Sequence, residues 1–169
     1  MIFLDETGAK TNMTRLRGRA LKGQRLHAHA PHGHWQSTTL IGSLRLDGST
    51  ACLTLDGATD TEVFGLYLEK ILLPTLHPGD LVVMDNLCPH KSERTLALLA
   101  RAGAQALFLP AYSPDLNPIE KMWSKLKAYL RKTEPRTREA LEQAIAAALK
   151  TVTAQDARNW FASCGYSFI

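Results

Sequence analysis

The chain has 169 residues, a net charge of +4 and three cysteines, Cys52, Cys88 and Cys164, none in a Cys-x-x-Cys pair. That length fits a single domain, 1–169, with its own core, and the sparse, odd cysteines exclude a disulfide framework and argue against a structural zinc site. No stretch nears the roughly 20 apolar residues of a membrane span, and Met1-Ile2-Phe3-Leu4 stops too early for a signal peptide, so a soluble intracellular protein is expected.

In chain order, Ile2-Phe3-Leu4 predicts a short buried strand ending at Asp5, with Thr7 and Gly8 as its breaker. Residues 9 to 36 read as irregular loop with a weak strand, and Lys10, Arg15, Arg17, Arg19, Lys22 and Arg25 occur with no acid among them. His27, His29, His32 and His34 fall in this segment. Alternate histidines on a strand face one way and could bind zinc or nickel. Structural zinc sites draw on separate elements, so phosphate contacts or a plain polar strand is the better reading.

Thr38–Leu46 and Thr50–Leu55 are β-rich runs joined by Asp47-Gly48, a strong hairpin signal. Asp47 and Asp56 read as turn formers, not catalysts. An amphipathic helix is expected from Asp60 through Phe64, Tyr67, Leu68, Ile71 and Leu72, stopped by Pro74 and Pro78-Gly79. Asp80-Leu81-Val82-Val83-Met84-Asp85 follows, a run suited to a strand buried on both faces. Asp85 then sits at the carboxyl edge, where open α/β sheets place their ligands. Asn86, Cys88, Pro89, His90 and Lys91 form a polar loop before a helix from Ser92 to Ala102, and Gln105–Leu109 is the last strand.

Tyr112-Ser113-Pro114-Asp115-Leu116-Asn117-Pro118-Ile119-Glu120 comes next. Its prolines forbid regular structure from Ser113 to Asn117, and Asn117 reads as the N-cap of a helix with Pro118 at its first position. Ile119, Met122, Trp123, Leu126 and Leu130 form one buried stripe on that helix. Beside the stripe, Glu120 leads into Ser124, Lys127 and Arg131. Glu120 therefore either completes a capping box with Asn117 or takes part in chemistry. Basic residues gather again at Lys121, Lys125, Lys127, Arg131, Lys132, Arg136 and Arg138, and two segregated basic patches suggest a polyanion such as nucleic acid. Thr137 and Thr153 open two further helices, the last ended by Gly165.

The order predicts an α/β fold, a mixed central sheet with flanking helices. The strands carrying Asp5 and Asp85 can be parallel neighbours through a crossover helix, bringing both carboxylates and Glu120 to one edge. Three converging acids call for cations, and hard oxygen ligands suit Mg²⁺ or Mn²⁺. Paired ions of this kind serve in-line phosphodiester chemistry. A phosphorelay receiver with Asp85 as acceptor leaves Glu120 and the basic rows unexplained.

Three blocks carry a resemblance: Leu4-Asp5-Glu6-Thr7-Gly8; Val83-Met84-Asp85-Asn86 with His90-Lys91-Ser92; and Leu109 through Glu120 with Trp123. They resemble the DDE transposases of the mariner superfamily, most closely its bacterial insertion-sequence branch. The 34 residues between Asp85 and Glu120 match the family's spacing. The tail, Trp160 through Tyr166, is similar too. The resemblance implies an RNase H-like fold and a metal-binding triad of Asp5, Asp85 and Glu120. Asp5 would contact two Mg²⁺ or Mn²⁺ ions, with Asp85 and Glu120 each holding one. It further implies cleavage at transposon ends, strand transfer into double-stranded target DNA, a homodimer in the active complex, and a bacterial cytoplasmic, nucleoid-associated location. By the same resemblance Asn86 and His90 are expected to orient the site or touch DNA, Lys91 to bind DNA, and Lys127 and Arg131 to contact phosphates. Glu6 is expected on the opposite strand face. Such transposases carry an N-terminal helix-turn-helix reader, which is expected to be missing before Met1. The chain then reads either as a catalytic half whose reader comes from elsewhere or as a remnant that binds or titrates DNA without chemistry.

Overall fold

A computed structural model describes residues 1–167. Five strands form one sheet in the order β3-β2-β1-β4-β5, with β1 Ile2–Lys10, β2 Ser37–Arg45, β3 Thr50–Leu55, β4 Leu81–Met84 and β5 Gln105–Phe108. The Asp47-Gly48 signal makes the β2–β3 hairpin: Asp47 accepts from Ser49 N–H at 2.8 Å, and Gly48 takes the positive φ of 85° that the turn requires. β4 is parallel to both β1 and β5, so the sheet is mixed as expected.

One expectation fails at the start of the chain. β1 does not break at Thr7-Gly8 but runs on to Lys10, paired with β2 from Ile2 opposite Arg45 to Lys10 opposite Ser37. A nine-residue antiparallel ladder outweighs the weak strand preference of a single glycine. The parallel pairing to β4 is much shorter, Ile2 to Val82 and Phe3 to Val83. Asp5 and Asp85 therefore each lie two residues beyond the same Phe3–Val83 pair, where β1 and β4 part.

Alternation along the strands builds a core on each face of the sheet. On one face Phe3, Leu40, Leu44 and Val83 lie under α3 Ile119–Thr133, α4 Arg138–Leu149 and α5 Ala154–Ser163, whose Met122, Trp123, Leu126, Leu141, Ile145 and Phe161 are buried with them. On the other, Ile2, Leu4, Ile41, Val82 and Met84 meet Phe64 and Tyr67 of α1 Thr61–Tyr67 and Leu98 and Leu99 of α2 Glu93–Arg101. The side chains of Asp60, Ser92, Thr137 and Thr153 cap α1, α2, α4 and α5. The helix expected to continue through Leu72 loosens after Tyr67 into a π turn, Leu68–Leu72, and then a 3₁₀ turn, Leu73–Thr75, where Pro74 removes a helical donor.

Below the site, Arg45 donates to both carboxylate oxygens of Asp80 at 2.9 and 2.6 Å. That pairing, first of all, holds the Asp80 carboxyl down at about 2. Residues 11–36 form an arm without regular structure, stitched at its base. Thr11 N–H donates to Gln36 O at 3.0 Å, Gln36 N–H returns to Thr11 Oγ1 at 3.1 Å, and Arg136 donates to the carbonyls of Thr11 and Met13. His27, His29, His32 and His34 are exposed on this arm and sit on no strand, so the shared face proposed for them does not form.

Candidate active site

Two strand ends and one helix start build the site. The side chains of Asp5 and Glu6 leave β1 on opposite faces, Asp5 toward Asn117 ahead of α3 and Glu6 toward His90 ahead of α2. Opposite Asp5 in the ladder is Gly42, and the ring of Trp123 lies against it: a Cβ built there would stand 2.6 Å from Trp123 Cη2. The missing side chain lets the first turns of α3 settle directly on the sheet, which carries Glu120 to the β1 edge.

Asp5, Asp85 and Glu120 line one cavity of about 430 Å³, together with Asn86, Leu87, Leu109 through Pro114 and Asn117. Asp5 is 9% exposed. Its Oδ1 accepts from Glu6 N–H at 2.8 Å and its Oδ2 from Asn117 Nδ2 at 3.2 Å. Burial pushes the Asp5 carboxyl from 3.8 up to about 7; the Glu6 N–H bond opposes the rise, and the charges of Glu120, Asp85 and Glu6 add to it. Asp5 thus feels Glu120 and Asp85 across the cavity. Glu120 is exposed, and Asp85 is half-exposed with Oδ1 accepting from Leu87 N–H at 3.0 Å.

Asn117 corrects the expected helix start. Its side chain caps nothing; Pro118 occupies the cap position, and a 3₁₀ turn, Pro114–Leu116, fills the span expected to be irregular. Proline's fixed φ suits the opening of such a turn as well as of a helix. No capping box forms between Asn117 and Glu120, whose link is the backbone bond from Glu120 N–H to Asn117 O at 3.2 Å. The Asn117 amide instead turns to Asp5, and its Oδ1 is buried without a hydrogen-bond partner.

His90, expected to orient the site or to touch DNA, has no exposed surface. Its ring packs 4.5 Å from that of Phe64, with Nδ1 2.7 Å from Asp85 Oδ1 and Nε2 3.4 Å from Glu6 Oε1. Nδ1 has no hydrogen bond of good geometry, so the contact to Asp85 is close but not aligned. Burial opposes the imidazolium, but Glu6 and Asp85 outweigh it and hold His90 above its ordinary value. Asn86 lines the cavity and donates to Leu109 O, tying the ends of β4 and β5. Lys91 is exposed, its Nζ 5.6 Å from the Phe108 ring centre. Arg131 lines a separate open groove of about 800 Å³ with Ser124, Ala128, Lys132, Arg15, Leu16 and Arg17. Half-buried Lys127 lines neither cavity.

Tyr112 is the residue that sequence reasoning passed over. It lines the cavity mouth fully exposed, at 102%, with a left-handed φ of 57°. A bulky residue in that region is strained, and its place between Pro110 and Pro114 was the available signal.

The donor set fits a hard divalent cation: three carboxylates lining one cavity, with Asp5 raised in part by the charges of the other two, and a buried amide oxygen without a partner. Among the described residues no three His, Cys, Asp or Glu side chains stand close enough to hold an ion as they are placed, so the carboxylates line the cavity without forming a closed ligand set.

A family model described as DDE superfamily endonuclease matches residues 1–142. None of the curated proteins matches the chain. Among solved structures, the Mos1 transposase paired-end complex with left transposon end aligns at a TM-score of 0.71 and 17% identity, over 99% of this chain and 56% of that one. The Mos1 mariner paired-end complex with Mn aligns at 0.68 and 17%, over 99% and 56%. The catalytic core domain of BIV integrase aligns at 0.55 and 14%, over 88% and 79%. The chain therefore spans a little over half the length of the Mos1 transposase chains, and the shared fold is RNase H-like.

Proposed function

Because this chain belongs to the DDE superfamily of endonucleases, we propose that it is a transposase catalytic domain that cuts DNA at transposon ends and joins the freed 3′-hydroxyl to target DNA. The observation that carries the reading is the cavity itself, which Asp5, Asp85 and Glu120 line together beyond the parting of β1 and β4, where the charges of Glu120 and Asp85 help raise Asp5. Asp5, Asp85 and Glu120 would hold two divalent ions, Mg²⁺ or Mn²⁺. Bound there, the ions supply a lowered pKa for the attacking oxygen and stabilisation of the leaving one.

The remaining roles belong to the chain's own groups. Asn117 steadies Asp5 through Oδ2. Tyr112 offers an exposed ring at the mouth on which a base can stack. Asn86 and Lys91 stand beside the cavity, and Arg131, with Arg15, Arg17 and Lys132, gives the DNA backbone a basic groove on the far flank of α3. The active complex is a homodimer acting in the bacterial cytoplasm, and residues 1–167 belong to one catalytic domain. Among the described residues no helix is long and apolar enough to cross a membrane.

A second reading, DNA binding without chemistry, draws on the open spacing of the acids. One experiment separates the two. The protein is incubated with DNA carrying the flanking inverted repeats and Mg²⁺ or Mn²⁺, beside Asp85→Asn. Metal-dependent nicking that the variant lacks is expected; folded, DNA-bound protein that never nicks its own ends overturns catalysis in favour of the binding role.

A further inference from the structure

Asp85 has two oxygens with different surroundings. Oδ1 takes both protein contacts, from Leu87 N–H and from the His90 ring. Oδ2 has no hydrogen-bond partner among the described residues, and Asp85 lines the cavity. The imidazole that touches Oδ1 is itself fixed from three sides. Phe64 lies against it with the rings tilted 44° apart, Glu6 meets its other nitrogen, and Thr95 Oγ1 locks the preceding loop by donating to Pro89 O at 2.8 Å. Glu6 comes from the strand that carries Asp5, so the ring also spans the gap that opens between β1 and β4.

We propose that His90 is a positioning residue, its ring anchored by Glu6 and Phe64 so that it holds Asp85 Oδ1 and leaves Oδ2 to a divalent cation in the cavity. This rests on the metal-dependent reading of the site above. Groups that hold a metal-binding carboxylate by its other oxygen commonly set the affinity of the metal. His90 does this from a buried position, out of reach of DNA. The sequence places His90 five residues after Asp85, in a loop, where nothing in the spacing reveals that both of its nitrogens face carboxylates.

The test measures Mn²⁺ alone binding to the full chain by titration calorimetry, with thermal melts as the folding control. His90→Asn puts an amide donor where Nδ1 stood and can still reach Asp85. His90→Gln puts its donor where Nε2 stood, toward Glu6. A residue that only fills space treats the two alike. The proposal expects His90→Asn to keep affinity close to the parent and His90→Gln to lose about 10- to 100-fold. Equal affinity in both folded variants, whether kept or lost, overturns it. Asp85→Asn provides the reference: if the parent chain binds Mn²⁺ no better than Asp85→Asn, the metal-dependent reading itself falls and this proposal with it. If Asp85→Asn loses binding while His90→Gln does not, only the role of His90 is refuted.

Discussion

Replacing Asp5 by asparagine removes one carboxylate from the cavity with almost no change in size. The Asp5 carboxyl titrates at about 7 in the folded chain against 3.8 ordinarily, burial being the largest cause. An acid raised by folding contributes stability that is fully present below about 3.8 and lost as pH climbs through about 7. The full difference corresponds to about 4 kcal/mol as a ceiling. Asparagine does not titrate, so Asp5→Asn should match the parent near the bottom of that window and exceed it in stability above the top. The new amide would face the Asn117 donor, but Asn117 can turn its unpartnered Oδ1 toward it and keep one bond. Urea denaturation of both proteins in chelator, followed by circular dichroism between about pH 4 and pH 8, reads the difference directly. Saturating Mn²⁺ should then raise the parent and leave the variant unmoved. Parallel pH curves for the two proteins would show that Asp5 titrates normally and that the cavity does not strain its carboxylates.

Gly42→Ala drives a methyl into the Trp123 ring and should cost about 1–3 kcal/mol by overpacking, with slower metal-dependent nicking as α3 lifts Glu120 from the edge; unchanged melting would contradict the contact. Asn117→Ala should cost about 1–3 kcal/mol by stripping Asp5 Oδ2 of its donor, and Asn117→Ser, which would satisfy a helix cap, should fail to restore it in the same melts. Tyr112→Gly relieves a left-handed backbone and should leave stability equal or slightly raised. The same change should weaken binding of DNA ends by about 10-fold, as loss of one stacked base requires, and unaltered end binding in a gel-shift titration would remove Tyr112 from the DNA surface.

Periodicity made most of the architecture readable. The stripe Ile119, Met122, Trp123, Leu126 and Leu130 is buried to the last member, the Asp47-Gly48 hairpin forms, and Thr137 and Thr153 cap their helices. These features depend on near neighbours, which a sequence displays. Gly8 misled because its strand is held by pairing with β2, about thirty residues away in the chain. Asn117 misled for a similar reason: its strongest partner, Asp5, lies 112 residues upstream, so a locally sensible cap lost to a tertiary hydrogen bond. The three acids could be picked out by residue type and spacing. The burial of His90 between two of the chain's carboxylates could not, since it follows from how far β1 and β4 diverge.

The arm between β1 and β2 enters and leaves through a gate one residue pair wide, closed by Thr11 and Gln36 and clamped by Arg136. Beyond that gate the arm touches the rest of the domain through Met13, packed against the core, and through Arg15, Leu16 and Arg17, which share a groove with α3. Because closing a longer loop adds only about 0.6 kcal/mol per doubling of its length, the arm can be shortened, exchanged or extended with little effect on the five strands beneath. The domain can thus hold its carboxylates constant while the exposed segment beyond Arg17, with its four histidines, changes in length, as a replaceable part fitted to a permanent mount.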